Sequence, residues 1–226
     1  DGGPDGECPD RRNPRLGAGT RVKDVGRIVI GFGLVLLALR IVIDTMAPAE
    51  SAPGVKVVLA AITGDPEYLQ LAMRFNHLAV LGPAANREDR LTGLHANTQI
   101  PKFVGAAREY ELTGQEWLRT ASTFFWDTVV KERSYVIGGH GLGEFFTPRE
   151  TLSQALGSNT CETCNTYNML RLTEQLFTAE PKAAYADYYE RALFNHILAS
   201  IHPDKPGYVY FTSIRPDHYR VYSQPE

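Results

Sequence analysis

Residues 110–125, YELTGQEWLRTASTFF, hold the end of one helix, a turn and the start of another. Before the turn, Ile100, Phe103, Ala107 and Tyr110 recur at three- and four-residue steps; after it, Leu118, Phe125 and Val129 continue the same period. Gly114 separates the two stripes, because glycine ends a helix in left-handed backbone without a Cβ clash. The stretch therefore predicts a helical hairpin. Two others read the same way. In AITGDPEYLQLAMRF (61–75), Gly64 stops a helix, Asp65 serves as N-cap and Pro66 takes the first position of the next. In LFTAEPKAAYADYYERALF (176–194), Met169, Leu172 and Leu176 precede the joint, and Tyr185, Tyr189, Ala192 and His196 follow it. The joints fall at Thr63, Thr113 and Thr178, spacings of 50 and 65 residues, as repeated helical hairpins require. The predicted class is all-α, with short strands near the C-terminus; periodicity shows paired helices and not how they close.

Upstream of these hairpins the chain changes character. Residues 1–54 form a separate, unassigned N-terminal segment, and 55–226 the helical domain. Residues 1–27 are rich in Gly, Pro and charge, a composition that does not build a core. Residues 28–43, IVIGFGLVLLALRIVI, are apolar except for Arg40. Basic residues before the run and small ones after it suit a signal or membrane anchor. The run is shorter than the ~20 residues of a spanning helix, and suits a buried helix or a misread upstream segment equally. A membrane partner is expected only if 28–43 acts as an anchor, and the compartment stays open between secreted or periplasmic and cytoplasmic. A net charge of −3 gives no electrostatic reason to expect nucleic acid. Eleven tyrosines suit a carbohydrate site, where rings stack on sugar faces, and suit a tyrosine-rich core as well.

The longest inter-hairpin loop carries the chemistry. SYVIGGHGLGEFFTPRETLSQALGSNT (134–160) places Gly138, Gly139, Gly141 and Gly143 just before Glu144. Glycine at that density lets backbone approach a ligand or take positive φ. Phe145 and Phe146 follow Glu144; desolvation by two rings would raise its pKa and equip it as a general acid, whereas a solvated loop glutamate is the plainer reading. NTCETC (159–164) then opens a helix, with Asn159 or Thr160 as N-cap. Glu162 and Cys164 would lie in its first turn, where the helix dipole lowers a thiol pKa, and a carboxylate and thiolate so placed can share a zinc ion. One CxxC reads also as a redox pair or two buried thiols, and three cysteines make no disulfide framework.

Four stretches, GLHANTQIPKFVGAAREYELTG (93–114), SYVIGGHGLGEFF (134–146), NTCETCNTYNMLRLTEQLF (159–177) and YADYYERALFNHILAS (185–200), closely resemble glycoside hydrolase family 127, the β-L-arabinofuranosidase family. The resemblance covers about residues 55–226 in order. It implies an (α/α)6 toroid, here partial, and a retaining, zinc-dependent hydrolysis in which a zinc-bound cysteine attacks the anomeric carbon. By position, Glu144 matches the family's general acid/base, and Glu162 and Cys164 match two zinc ligands. His95 matches a histidine that contacts the sugar. Tyr210 in YVYFTSI (208–214) matches a substrate tyrosine, although Ser213 and Ile214 replace a Pro-Leu pair. Cys161 stands where the family often has Ala and is not taken as a ligand. His140 is a further possible sugar contact or a plain loop histidine; His77, His196, His202 and His218 fit no functional motif.

Beyond SQPE the family continues into a Trp-Cys-Cys motif that supplies two more ligands, one of them the nucleophile, and residues 1–50 do not resemble its early toroid helices. The expectation is therefore a carbohydrate-directed hydrolase domain whose 226 residues by themselves are inactive. Two other readings compete: an inverting, metal-free toroid glycosidase that uses Glu144 with a second carboxylate, and a non-catalytic sugar-binding or structural remnant.

Overall fold

The computed structural model describes residues 62–223, and the apolar run 28–43 lies outside them. The described residues fall within one compact unit. Among the described residues six complete α-helices follow in order: α1 (Pro66–Met73), α2 (Leu78–Ala85), α3 (Ala96–Thr113), α4 (Glu116–Glu132), α5 (Thr163–Ala179) and α6 (Ala183–Ala192). None of the described helices is long and apolar enough to cross a membrane.

The joints form by the local chemistry read above. Asp65 caps α1 by accepting the Glu67 N–H at 2.9 Å, with Pro66 at its first position. Between α3 and α4, Gly114 turns to φ 67° and its N–H donates to the Tyr110 carbonyl at 2.7 Å. Thr113 ties both sides of that turn: its hydroxyl donates to the Glu109 carbonyl at 2.7 Å and accepts the Gln115 N–H at 3.3 Å. The third joint does without glycine; α5 ends in extended backbone at Glu180, and Pro181 blocks its continuation.

The helices alternate between two layers. α3 packs on α4, its hairpin partner, and on α5, which begins the next hairpin; α2 packs on α4. Phe103 of α3 stacks on Phe125 of α4 with ring centroids 3.8 Å apart, and Trp126 meets Tyr185 and Tyr188 of α6 edge-on. Each such ring taken from water contributes about 1.5–3 kcal/mol. The Trp126 indole N–H is satisfied by Thr173 of α5 at 2.8 Å, so the three helices close around a core with this polar group paired. This is the expected all-α arc of a partial α/α toroid. Of the stripe after the third joint, Tyr185, Ala192 and His196 face inward and Tyr189 lies at the surface.

α6 runs on into a π-helical turn (Leu193–Ile197), and the chain then returns across the start of α5. The Thr163 N–H donates to the Tyr210 carbonyl at 3.1 Å, and Thr212 N–H to the Cys161 carbonyl at 3.3 Å. The short strands expected near the C-terminus amount, among the described residues, to isolated bridges such as Glu162 with Phe211 and Ile201 with Tyr208. The N-cap of α5 is also corrected: it falls at Glu162, not at Asn159 or Thr160. The Thr160 hydroxyl is drawn instead to the returning chain, donating to the Thr212 carbonyl at 2.8 Å.

Candidate active site

Four segments converge at the N-terminal ends of α3 and α5. They are the turn into α3, the α4–α5 loop, the start of α5 and the returning chain at 208–212. Residues 93–96 and 144–146 pair as a short antiparallel ladder: Gly93 N–H to Phe146 O at 2.9 Å, Phe146 N–H to Leu94 O at 3.0 Å and Ala96 N–H to Glu144 O at 2.8 Å. That ladder sets His95 beside Glu144, with ring Nε2 and Oε2 3.0 Å apart. The loop can lie this close because Gly139 carries no side chain; a Cβ there would sit 2.6 Å from Cys161 Cβ. Glu144 itself takes φ 72°, a left-handed conformation rarely tolerated outside glycine and found often at functional sites.

The Tyr210 phenol joins two carboxyls. Its oxygen lies 2.6 Å from Glu144 Oε1 and 2.7 Å from Glu162 Oε1. A phenol has one proton, and both carboxyl oxygens lie where they can accept it. Tyr210 is held protonated far above the ordinary phenol range, first by Glu144 and then by Glu162.

Two electrostatic expectations are corrected. Phe145 and Phe146 do not raise the Glu144 pKa: the Tyr210 phenol, then the His95 ring, hold its carboxyl below the ordinary carboxylate range. The two rings are engaged elsewhere. Phe146 is buried on Phe125 and parallel to His140 at 5.5 Å, and Phe145, 46% exposed, stands edge-on to His95 at 5.3 Å. Nor does the α5 dipole lower the Cys164 thiol; burial pushes it up, and the neighbouring Glu162 carboxylate adds to the effect.

Glu162 and Cys164 nevertheless fit a metal in their chemistry. Glu162 is buried, and its Oε2 has no hydrogen-bond partner among the described residues. A carboxylate oxygen and a thiol brought together are donors that zinc accepts, and a cation between them would remove the cost of both. Among the described residues no group of three or more His, Cys, Asp or Glu side chains gathers at metal-binding range. Cys161, the residue set aside as a ligand, is buried against Gly139, and burial pushes its thiol up to about 12.

His140 is neither a sugar contact nor a plain loop histidine. It is fully buried, and both ring nitrogens lack partners among the described residues. His196 is buried as well, with Nδ1 2.8 Å from the Thr166 hydroxyl. Residues not flagged by sequence also shape the site. Asn165 lies buried under Gly141, and Arg133 spans both sides of the ladder. A cavity of about 370 Å³ lies elsewhere, between α5 and α6, where Phe177, Tyr189 and Phe194 make it almost wholly apolar. The polar side chains of His95 and Tyr210 meet instead at Glu144.

Comparison with known proteins identifies the family. The family model for the β-L-arabinofuranosidase, GH127 catalytic domain matches residues 49–226. A non-reducing end β-L-arabinofuranosidase of Bifidobacterium longum subsp. longum is 33% identical over 118 residues, 49% of this chain and 17% of that protein. A solved GH127 β-arabinofuranosidase superposes with TM-score 0.60 at 24% identity, over 72% of this chain and 27% of that one. A GH127 β-L-arabinofuranosidase from Geobacillus stearothermophilus T6 gives 0.56 at 21%, over 71% and 30%. These two show the fold. The chain thus spans less than a third of each. A shorter likeness, 44% over 46 residues and 20% of this chain, is to an Escherichia coli K12 protein whose name assigns it to inorganic phosphate export.

Proposed function

This chain belongs to the β-L-arabinofuranosidase GH127 catalytic-domain family, and from that premise we propose that it is the proton-transfer and part of the metal-binding half of a retaining glycoside hydrolase acting on β-L-arabinofuranosides or related plant-wall sugars. The observation that carries the reading is the Tyr210 phenol held between Glu144 and Glu162. One of these carboxyls has a side chain 32% exposed, and the other is buried with an oxygen that has no partner among the described residues.

Glu144 protonates the glycosidic oxygen as the anomeric C–O bond breaks and its electron pair passes to that oxygen. A cysteine thiolate, which the family places after residue 226, forms the new bond to the anomeric carbon. In the second half Glu144 takes a proton from water, the water oxygen bonds to that carbon, and sulfur leaves with its electron pair as thiolate. His95 and Tyr210 hold Glu144 and contact the sugar. Glu162 and Cys164 would hold zinc, whose charge favours the thiolate form of a cysteine beside it.

The test uses the chain extended through a Trp-Cys-Cys segment of the family. Glu144→Gln is expected to lower kcat/KM by ~10²–10⁴-fold on an alkyl arabinofuranoside, whose leaving group needs a proton. On a nitrophenyl arabinofuranoside, which needs little protonation to depart, the loss is expected to be much smaller. Equal small losses on both would show Glu144 to be an ordinary loop residue, and turnover by residues 1–226 would show that no further cysteine is needed.

A further inference from the structure

The ladder that aligns His95 with Glu144 is three hydrogen bonds long, and Glu144 within it holds a left-handed φ. Such a conformation costs on the order of 1–3 kcal/mol and persists only where the surroundings over-determine it. At one end the ladder is secured by α3, whose first residue, Ala96, donates the last rung. At the other end the two segments diverge, at Thr92 on one side and Thr147 on the other.

Arg133 sits in that fork. It follows the last residue of α4, and its side chain is 1% exposed. Nε–H donates to the Thr147 carbonyl at 3.0 Å, one residue beyond the Phe146 rung. Nη2 donates to Asp89 Oδ2 at 2.5 Å and faces the Thr92 hydroxyl at 3.5 Å, one residue before the Gly93 rung. Asp89 is fixed in turn: its Oδ1 accepts the Leu91 N–H at 3.0 Å, and Arg149 Nε lies 3.0 Å from Oδ2. One planar group therefore binds both segments of the ladder where they would otherwise part. A buried ion pair is a poor source of net stability, since a well-packed apolar pair often does as well. What it supplies here is direction, because a rigid fork fixes two partners at once and an ammonium does not.

We propose that Arg133, paired with Asp89, is a positioning residue for Glu144: it touches no substrate and acts by holding the 144–146 segment against 93–96. The proposal rests on the reading of Glu144 as the proton donor. It assigns to the end of α4 a part in the selectivity of the enzyme for leaving groups. A carboxyl displaced by a fraction of an ångström still permits departure of a good leaving group and fails a poor one, and misplacement by ~1 Å can cost ~10²-fold.

The experiment measures kcat/KM of the extended chain on the alkyl and nitrophenyl arabinofuranosides for Arg133→Lys, Asp89→Asn and Glu144→Gln. Arg133→Lys is expected to lose ~10- to 100-fold on the alkyl substrate and less than ~3-fold on the nitrophenyl one. Asp89→Asn keeps the shape and one acceptor, and is expected to show the same selectivity at smaller size. A merely structural role lowers the active fraction and so lowers both substrates equally. Equal losses in Arg133→Lys and Asp89→Asn, with Glu144→Gln still leaving-group dependent, overturn the positioning role and leave the reading of Glu144 standing. Absence of that dependence in Glu144→Gln overturns both. If Arg133→Lys does not fold, the ratio of the two losses in Asp89→Asn decides.

Discussion

Acidification should destabilise this domain through two buried histidines. His140 is sealed between Phe146 and the loop, with Arg133 and His196 as cationic or potentially cationic neighbours; burial first, then these two, hold its pKa down to about 3. Burial likewise holds His196 down to about 4. In the unfolded chain both take up a proton near the ordinary value of about 6.5. Between that value and about 4 the unfolded state binds more protons than the native state, so stability falls as pH falls. At pH 5 each histidine removes about 2 kcal/mol relative to pH 8, and the pair about 4 kcal/mol, as the difference between the two binding polynomials gives. That is a large share of the 5–15 kcal/mol typical of a domain. The loss begins near pH 6.5 and levels off only as the native histidines protonate. His140→Phe keeps the stacking on Phe146 and removes two buried nitrogens without partners, so stability at pH 8 should hold or rise. Urea titrations of parent and variant at pH 8, 7, 6 and 5, followed by the fluorescence of Trp126 and Trp117, give both curves; groups common to the two chains cancel. The variant should retain about half of the parental loss between pH 8 and 5. An identical loss in both chains would refute the reasoning, because His140 would then not be a buried neutral group.

Three other outcomes follow from the site. Tyr210→Phe removes the main influence that depresses the Glu144 carboxyl, so its pKa should rise; the alkaline limb of kcat/KM in the extended chain, which reports loss of the acid's proton, should move to higher pH. The extended chain should hold about one zinc ion, with Glu162→Ala and Cys164→Ser each lowering zinc content and activity together. Cys161→Ala should change neither, and metal analysis would reverse the assignment if Cys161 proved essential and Cys164 dispensable. Gly139→Ala forces a Cβ to 2.6 Å from Cys161 Cβ and should cost about 1–3 kcal/mol in urea unfolding; an unchanged midpoint would mean that the loop backs away freely.

The residues by themselves determined what is local. Helix stripes, the Asp65 cap and the Gly114 stop act over three or four positions, so the start of α1 and the hairpin at Thr113 are legible from side-chain type and spacing. Motif likeness likewise named Glu144, His95, Glu162, Cys164 and Tyr210. Tertiary structure decided what those residues do to each other. Tyr210 reaches Glu144 across 66 positions and Glu162 across 48, and no local pattern records such a bridge. The sign of the Glu144 shift went the other way from expectation for this reason: adjacency in sequence suggested two rings, but the ladder gave the carboxyl a phenol and an imidazole. At Cys164 the helix dipole, a local effect, lost to burial and a neighbouring carboxylate. Arg133 escaped notice because an arginine at the end of an amphipathic helix usually reaches solvent, and only the meeting of Asp89, Thr92 and Thr147 around it makes its burial tolerable. Pairing a buried charge takes partners from distant segments, and the fold alone brings those together.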